Sequence, residues 1–174
     1  FLNRGNVYFV RKDYDRAIQN YERAIQLHPS DAAAFNNRGI AYDEKKDYER
    51  AIQNYHPAIR LDPNSAEAFY NRGSAYYAGD EYDRAIQDYS QAIRLNPNYL
   101  LAFSNRALAY YDKNEYDRAL EDYDQAIRLN SNSATAFAGR GNVYRGKKDY
   151  VRALRDYDQA IRLDPAHAAT FHDK

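Results

Sequence analysis

A repeat of 34 residues constrains the fold of this chain more than any other feature. Glycine recurs at this interval at positions 5, 39, 73 and 141, and Ala107 takes the same position in the remaining repeat. Other residues keep fixed offsets from it, which in the second repeat are Phe35, Tyr42, Ala51, Tyr55, Ala58 and Pro63. A unit of this size cannot bury its own apolar face, so neighbouring units must stack and share one core. The sequence therefore predicts a solenoid.

Each repeat has the pattern of two helices joined by a short turn. In the second repeat, residues 33–44 and 48–61 both have helical periodicity. Asp47 is suited to cap the second of these helices, and Ser65 the first helix of the next repeat. Gly79 suits the turn within the third repeat. No window favours a strand, because the tyrosines recur at helical offsets, and we expect an all-α fold.

The order of these residues resembles the tetratricopeptide repeat (TPR) family, and the resemblance covers essentially the whole chain. Phenylalanine stands where the family often has tryptophan, and Ser131 replaces one closing proline. Arginine stands where leucine is usual, at Arg4, Arg38, Arg72, Arg106 and Arg140. The resemblance implies an all-α, right-handed α-solenoid of stacked antiparallel helical hairpins, a superhelix whose concave face usually binds peptides or proteins.

The period predicts one TPR array along residues 1–174. Its predicted boundaries are a truncated repeat at 1–31, complete repeats at 32–65, 66–99, 100–133 and 134–167, and the start of a sixth at 168–174. Because the chain opens inside a repeat and contains no methionine, we expect it to be a fragment of a longer protein. Solenoids need polar caps at their ends, so end-to-end self-association is an alternative role.

Composition limits the classes of partner. The chain carries 25 basic and 25 acidic side chains, so it has no net field to attract nucleic acid or an anionic membrane. No apolar stretch approaches the roughly 20 residues needed to cross a bilayer. The absence of cysteine excludes disulfides and thiolate metal ligands but leaves the cellular compartment open. We therefore expect a protein or extended peptide as partner, with no nucleic acid and no membrane.

Most aromatic residues are predicted to build the core. Fifteen of the 19 tyrosines occupy three fixed offsets, those of Tyr42, Tyr48 and Tyr55 in the second repeat. Fixed offsets indicate packing. The recurrent arginines lie beside the core stripe, and each has an asparagine or aspartate 16 residues later, as in Arg106 and Asp122. We expect an intra-repeat hydrogen bond or ion pair at each position, with binding of an acidic ligand as the alternative.

The opposite side of the first helix carries one asparagine per repeat. The series is Asn3, Asn37, Asn71 and Asn105, and Gly139 ends it. Asparagine is a poor helix former, and its amide can both donate to and accept from an extended peptide backbone. The spacing resembles the asparagine ladder in the TPR superhelix of the O-linked N-acetylglucosamine transferases, which implies a role in holding ligand main chain. The alternative is that these asparagines face water or bond to the neighbouring repeat.

Residues that break the repeat on or beside this face are the candidates for specificity. They are Tyr70, Tyr77, Leu101, Leu108 and Tyr111 as an apolar centre, with Asp43 and Glu44 toward one end and Arg145 toward the other. An apolar centre with charged flanks is the usual arrangement of a binding surface. Together with the asparagines, these residues form the predicted peptide-binding groove, and the predicted ligand is an extended segment with apolar anchors.

Other functions have less support in the sequence. The histidines, His28, His56, His167 and His172, have no metal-binding spacing, and no nucleotide or nucleophile motif is present. We predict no catalytic site, no cofactor and no metal. A clamp for acidic chaperone tails is disfavoured, because Leu2, Glu67 and Asn71 occupy positions where it would need cations. An RNA-binding helical repeat, the alternative of a different class, is disfavoured by the balanced charge.

Overall fold

The computed structural model describes residues 1–165, and within that range it contains ten α-helices and no strand. The helices are α1 (Leu2–Val10), α2 (Tyr14–Leu27), α3 (Ala32–Glu44), α4 (Tyr48–Leu61), α5 (Ala66–Ala78), α6 (Tyr82–Leu95), α7 (Leu100–Asp112), α8 (Tyr116–Leu129), α9 (Ala134–Gly146) and α10 (Tyr150–Leu163). Odd-numbered helices are the first helices of their repeats, and even-numbered ones the second. The predicted all-α fold is confirmed. The predicted start of a sixth repeat, residues 168–174, lies outside the described residues.

The helices belong to two compact units. The first unit is Phe1–Leu95 with α1 to α6, and the second begins at Asn96 and contains α7 to α10. In the first unit each first helix packs on the second helix of its own repeat, and each second helix packs on the first helix of the next repeat. The same pattern joins α7, α8, α9 and α10 in the second unit. Each unit is therefore a stack of helical hairpins.

The predicted caps close the helices, while the turns differ from expectation in one detail. The side chain of Asp47 accepts from the backbone N–H of Arg50, and Ser65 caps α5 in the same way. The left-handed residue of each turn is not a glycine: in the third repeat Gly79 has φ −94°, and the next residue, Asp80, has φ 61°. Gly79 thus ends α5, and the strained position of the turn follows it.

The core of each hairpin in the first unit is a tyrosine of the second helix packed on a glycine of the first. Tyr21, Tyr55 and Tyr89 are at most 1% exposed. A Cβ atom placed on Gly39 would lie 2.5 Å from Cε1 of Tyr55, far inside van der Waals contact. Glycine therefore recurs at this position of the repeat because the tyrosine ring occupies the space that a side chain would take.

In the one repeat without this glycine, the tyrosine ring packs in a different place. Ala107 is fully buried on α7, and the tyrosine of its hairpin is Tyr123. A Cβ atom on Gly139, in the next repeat, would come closer than 3.0 Å to the end of the Tyr123 ring. The ring therefore uses the space left by Gly139. We expect the alanine at position 107 and the glycine at position 139 to be linked, because both residues lie around Tyr123.

The predicted pairing of arginines within each hairpin is confirmed. Arg106 donates from Nε and Nη2 to the two carboxylate oxygens of Asp122, both at 2.7 Å, and Asp122 is 5% exposed. Arg72 and Arg140 form the same bidentate bonds with Asp88 and Asp156. In the earlier repeats Nε of Arg4 and Arg38 donates to Asn20 and Asn54. These arginines are therefore part of the scaffold.

Pro57 lies inside α4, which continues from Tyr48 to Leu61. We expect Pro57→Gln to raise the free energy of unfolding by about 2 kcal/mol. A proline in a helix interior costs about 3 kcal/mol, and its restriction of the unfolded chain offsets up to about 1 kcal/mol of that. Urea unfolding monitored by circular dichroism measures the change, and Gln125→Pro, at the equivalent position of α8, serves as the reverse control. Lower stability of Pro57→Gln would show that the surrounding packing depends on the proline.

Candidate functional site

The candidate site is the side of the first helices that points away from the second helices, which we call the first-helix face. On α3 the buried residues include Asn36 and Gly39, whereas Asn37, Ile40 and Glu44 are partly or fully exposed. In the first unit this face is formed by α1, α3 and α5, which contact one another in order. In the second unit it is formed by α7 and α9.

Two asparagines of the predicted series, Asn37 and Asn71, bond to other asparagines of the preceding repeat in the first unit. Nδ2 of Asn37 donates to Oδ1 of Asn6 at 3.1 Å, and the Tyr21 hydroxyl donates to the same oxygen at 2.9 Å. Nδ2 of Asn71 donates to Oδ1 of Asn36 at 3.1 Å. The donor groups of Asn37 and Asn71 therefore bond to the neighbouring repeat, as the alternative interpretation of these asparagines predicted. This bonding also fixes the orientation of their carbonyl oxygens.

An apolar cavity of about 140 Å³ opens on the first-helix face of the first unit. Its lining residues are Asn6, Phe9, Val10, Tyr21, Asn37 and Ile40. A cavity of about 150 Å³ is large enough to hold a benzene molecule, so this one has room for one aliphatic side chain. Val10 is 81% exposed at its edge. An apolar cavity bordered by a few polar groups has the usual composition of a ligand pocket.

A second, polar cavity lies at the beginning of α3 and α5. Its volume is about 170 Å³, and its lining includes Asn36, Asn37, Ser65 and Glu67. Nδ2 of Asn36 donates to Oε1 of Glu67 at 3.3 Å, so this part of the surface is organised by hydrogen bonds across the two repeats. Asn37 contributes to both cavities and lies between them.

Two carboxylates follow Ile40 along α3. Oδ2 of Asp43 accepts from the Tyr55 hydroxyl at 2.7 Å, while Oδ1 is buried and has no hydrogen-bond partner among the described residues. Burial raises the pKa of Asp43 to about 6, although the bond from Tyr55 acts in the opposite direction. Glu44 is exposed and accepts from the Tyr14 hydroxyl at 3.1 Å. The structure therefore keeps a partly desolvated acid on α3, one helical turn after the cavity residue Ile40.

We expect Asp43→Asn to raise the free energy of unfolding by about 2 kcal/mol at pH 7.5 and by no more than about 0.5 kcal/mol near pH 4. The unfolded carboxyl has a pKa of about 3.9, and in the fold it is about 6. The raised pKa makes a contribution that is fully present below pH about 4 and lost as the pH rises through about 6. Asparagine retains an acceptor for Tyr55 and carries no charge to desolvate.

Urea unfolding at the two pH values measures this difference. Glu44→Gln, at an exposed neighbouring carboxyl, is the matched control and should change stability by less than about 0.5 kcal/mol at either pH. An Asp43→Asn effect of equal size at pH 7.5 and pH 4 would contradict the role of desolvation.

The two tyrosines predicted as groove anchors in the first unit share in the core. The Tyr70 ring lies 5.8 Å from the Tyr89 ring, and the Tyr77 ring lies 5.5 Å from the Tyr82 ring. Both pack against the buried cluster that includes Tyr76. They remain partly exposed, so only part of each ring is available to a ligand.

The predicted residues of the second unit lie on its own first helices. Leu101 is 52% exposed on α7, and Leu108 and Asn105 are partly exposed on the same helix. The Tyr111 ring packs 5.8 Å from the ring of Tyr116. Arg145, near the end of α9, is partly exposed. Asn3, the first of the predicted series, is exposed on α1 of the first unit.

The sequence reasoning missed Phe9 and Val10 in the wall of the apolar cavity. These residues occupy the positions of Asp43 and Glu44 one repeat earlier, so they break the repeat in the same way. The rule that selected Tyr77 and Tyr111 would therefore have selected Phe9 as well. The contribution of Asn6 has a sequence signal too, because Ile40 stands at its position in the second repeat.

Metal-binding clusters and membrane spans are both absent from residues 1–165. In this range no group of three or more histidine, aspartate or glutamate side chains is placed to hold a metal ion. None of the helices in the same range combines the length and the apolar character that a membrane span requires.

Comparison with known proteins gives the family and the fold. One model described as a TPR repeat matches residues 5–45, 41–80 and 107–147, and one described as a tetratricopeptide repeat matches 66–99 and 134–167. The search of curated proteins found no match.

Solved structures match along nearly the whole chain. A crystal structure of MamA is 28% identical, with a TM-score of 0.88 over 97% of this chain and 99% of that one. YrrB, described as a TPR protein with an unusual peptide-binding site, is 25% identical, with a TM-score of 0.81 over 98% of this chain and 88% of its own. A MamA fragment from Desulfovibrio magneticus RS-1 shares the fold at 19% identity, with a TM-score of 0.87 over 99% of this chain and 94% of that one. The chain belongs to the tetratricopeptide repeat family and has its all-α solenoid fold.

Proposed function

We propose that this chain is a non-catalytic protein-interaction scaffold that binds an extended peptide on the first-helix face of its first unit. The observation that carries the proposal is the apolar cavity between α1 and α3, bordered by the hydrogen-bonded pair Asn6 and Asn37. TPR proteins are generally interaction scaffolds, and one similar structure, YrrB, is described as having a peptide-binding site. The proposal includes specificity for particular peptide sequences.

The asparagines act on the main chain of the ligand. Because Nδ2 of Asn37 and of Asn71 is bonded to the preceding repeat, each carbonyl oxygen is oriented to accept a peptide N–H. Packed helices lie about 8–10 Å apart, and an extended peptide advances about 3.3 Å per residue. The ligand therefore advances about three residues from one asparagine to the next, and the side chain beside Asn37 enters the apolar cavity.

Selection from a random peptide display library tests the proposal. The parent chain is compared with an Asn37→Ala/Asn71→Ala variant whose circular dichroism shows it to be folded. The matched control is Asn64→Ala/Asn98→Ala, at two exposed asparagines in the connections between repeats. We expect the parent and the control to enrich the same peptides, with binding at least tenfold weaker in the first variant. Equal enrichment by all three proteins would contradict main-chain recognition by the asparagines.

A second candidate, self-association, rests on the exposed side of α10. Tyr150, Val151 and Leu154 are 60%, 81% and 62% exposed there. Under this alternative the sedimentation coefficient rises with protein concentration, and Leu154→Lys abolishes the rise. A concentration-independent coefficient favours the peptide-binding scaffold alone.

A further inference from the structure

The first-helix face of the first unit also carries information about the chemistry of its ligand. We propose that it selects a peptide in which an aliphatic side chain lies within about three residues of a lysine or arginine. This inference rests on the proposed peptide-binding function. Two neighbouring features support it, the apolar cavity and the carboxylates of Asp43 and Glu44.

The cavity selects an aliphatic group because its walls are apolar and held in place. The Phe9 ring packs 5.5 Å from the ring of Tyr14, and Ile40 forms the opposite wall on α3. Val10, at the edge of the cavity, is largely exposed. Filling a cavity of about 140 Å³ removes these surfaces from water without disturbing the asparagine pair at its edge.

The carboxylates lie one helical turn beyond this wall. Residues three and four positions after Ile40 are Asp43 and Glu44, and one turn of helix rises about 5.4 Å. Tyr14 connects the two features directly, because its ring packs on Phe9 and its hydroxyl donates to Glu44. A ligand side chain close to the cavity occupant therefore reaches the carboxylates.

These carboxylates lack a cationic partner in the described part of the chain. Neither Asp43 nor Glu44 forms an ion pair within residues 1–165, and their hydrogen bonds come from the hydroxyls of Tyr55 and Tyr14. Lys45 pairs instead with Asp15 of the preceding repeat. The arginine of this helix, Arg38, donates to Asn54 on the other side of α3. Glu44 is therefore an exposed carboxylate without a cationic partner in residues 1–165, on a surface that also carries the exposed cations Arg11 and Lys12.

Asp43 carries the strongest indication of a missing donor. Its Oδ1 is buried and has no hydrogen bond among the described residues, an arrangement that costs stability. The raised pKa of this carboxyl has the same cause, since burial disfavours its charge. An ammonium or guanidinium group offers hydrogen-bond donors and the opposite charge, and Glu44 is exposed to receive them.

A basic peptide fits these features better than other cationic ligands. A free metal ion or a polyamine would meet the carboxylates but leave the cavity and the asparagine amides without a role. Nucleic acid would be repelled by the same carboxylates. One segment that contains an aliphatic and a basic residue satisfies the cavity, the amides and the charges together.

The test extends the display selection to a second pair of variants. The probe is a random decapeptide library, selected in parallel on the parent and on Asp43→Asn/Glu44→Gln. The matched control is Glu22→Gln/Glu49→Gln, two exposed carboxyls on α2 and α4. We expect the parent and the control to enrich peptides with lysine or arginine within three residues of an aliphatic side chain. The Asp43/Glu44 variant should keep the aliphatic preference and lose the basic one.

A synthetic peptide with the selected sequence gives the quantitative result. Replacing its basic residue by glutamine should weaken binding to the parent at least tenfold, measured by fluorescence anisotropy. The same change should alter binding to the Asp43/Glu44 variant less than twofold. Selected peptides without a basic residue, or equal basic enrichment by both proteins, would overturn the inference while leaving peptide binding intact. No enrichment by the parent would instead reject the proposed function.

Discussion

Asp122→Ala is expected to lower the free energy of unfolding by about 3–5 kcal/mol, because it breaks a buried ion pair from one side. The bidentate bonds from Arg106 are the partners of a carboxylate that is 5% exposed. Removing the carboxylate leaves the guanidinium partly buried without the negative charge that balances it. The desolvated arginine, rather than the lost attraction, accounts for most of the cost.

The chain itself supplies the controls for this prediction. Asp122→Asn should cost much less, because Asn54 accepts from Nε of Arg38 at 2.6 Å in the same position of the second repeat. Asp117→Ala removes a carboxylate that is 84% exposed and pairs with Lys147, and it should cost less than about 1 kcal/mol. Urea unfolding of the three variants measures the series. Equal losses for Asp122→Ala and Asp117→Ala would contradict the structural role of the buried pair.

Gly139→Ala is expected to lower the free energy of unfolding by about 3 kcal/mol, although alanine is the better helix former. The added methyl group would collide with the end of the Tyr123 ring, which is 4% exposed and has little room to move. Overpacking of a core costs about 1–3 kcal/mol, and the close approach places this case at the upper end. The gain in helix propensity, about 1 kcal/mol, is too small to offset it.

A double-mutant cycle with Ala107→Gly tests the exchange of small residues around Tyr123. Ala107→Gly opens the space that Gly39 provides for Tyr55 in the second repeat, so the Tyr123 ring can shift away from residue 139. We expect the cost of Gly139→Ala to fall by about 2 kcal/mol in that background. The same cost in both backgrounds would show that residues 107 and 139 are independent.

Gly79→Ala is the control for the alanine substitution itself. The nearest atoms to an added Cβ at this position are backbone carbonyl oxygens at 3.6 and 3.7 Å, which is ordinary contact. This variant should therefore be at least as stable as the parent. A loss comparable to that of Gly139→Ala would show that an added methyl group destabilises this fold without contacting a tyrosine ring.

Much of the scaffold could be predicted from the sequence because the same contacts recur in every repeat at the same spacing. The period, the helix pairs and the bonds between Arg106, Arg140 and their aspartates all repeat at fixed offsets, so each repeat supports the prediction for the others. The link between Ala107 and Gly139 could not be predicted in this way. It depends on the tilt of one tyrosine ring between two repeats, and sequence offsets carry no information about ring orientation.

The candidate site was predictable in outline and not in detail. The face was identified by helical periodicity, and Asn37 and Glu44 lie on it as expected. The bonding of the asparagines to one another depends on side-chain rotamers, which periodicity does not specify. The burial of Asp43 depends on its contact with Tyr55, a residue of the neighbouring helix. Tyr70 was predicted as a groove residue but packs on the core cluster as well, because its ring reaches Tyr89.

The most direct test of peptide binding on the first-helix face is an NMR titration of the ¹⁵N-labelled chain with a synthetic peptide from the display selection. We expect the largest chemical-shift changes on this face of the first unit, at Asn6, Asn37, Ile40 and Glu44. Gln53, on the exposed side of α4, should be unaffected. Largest changes on α2 and α4, with the first-helix face unchanged, would contradict the proposed site.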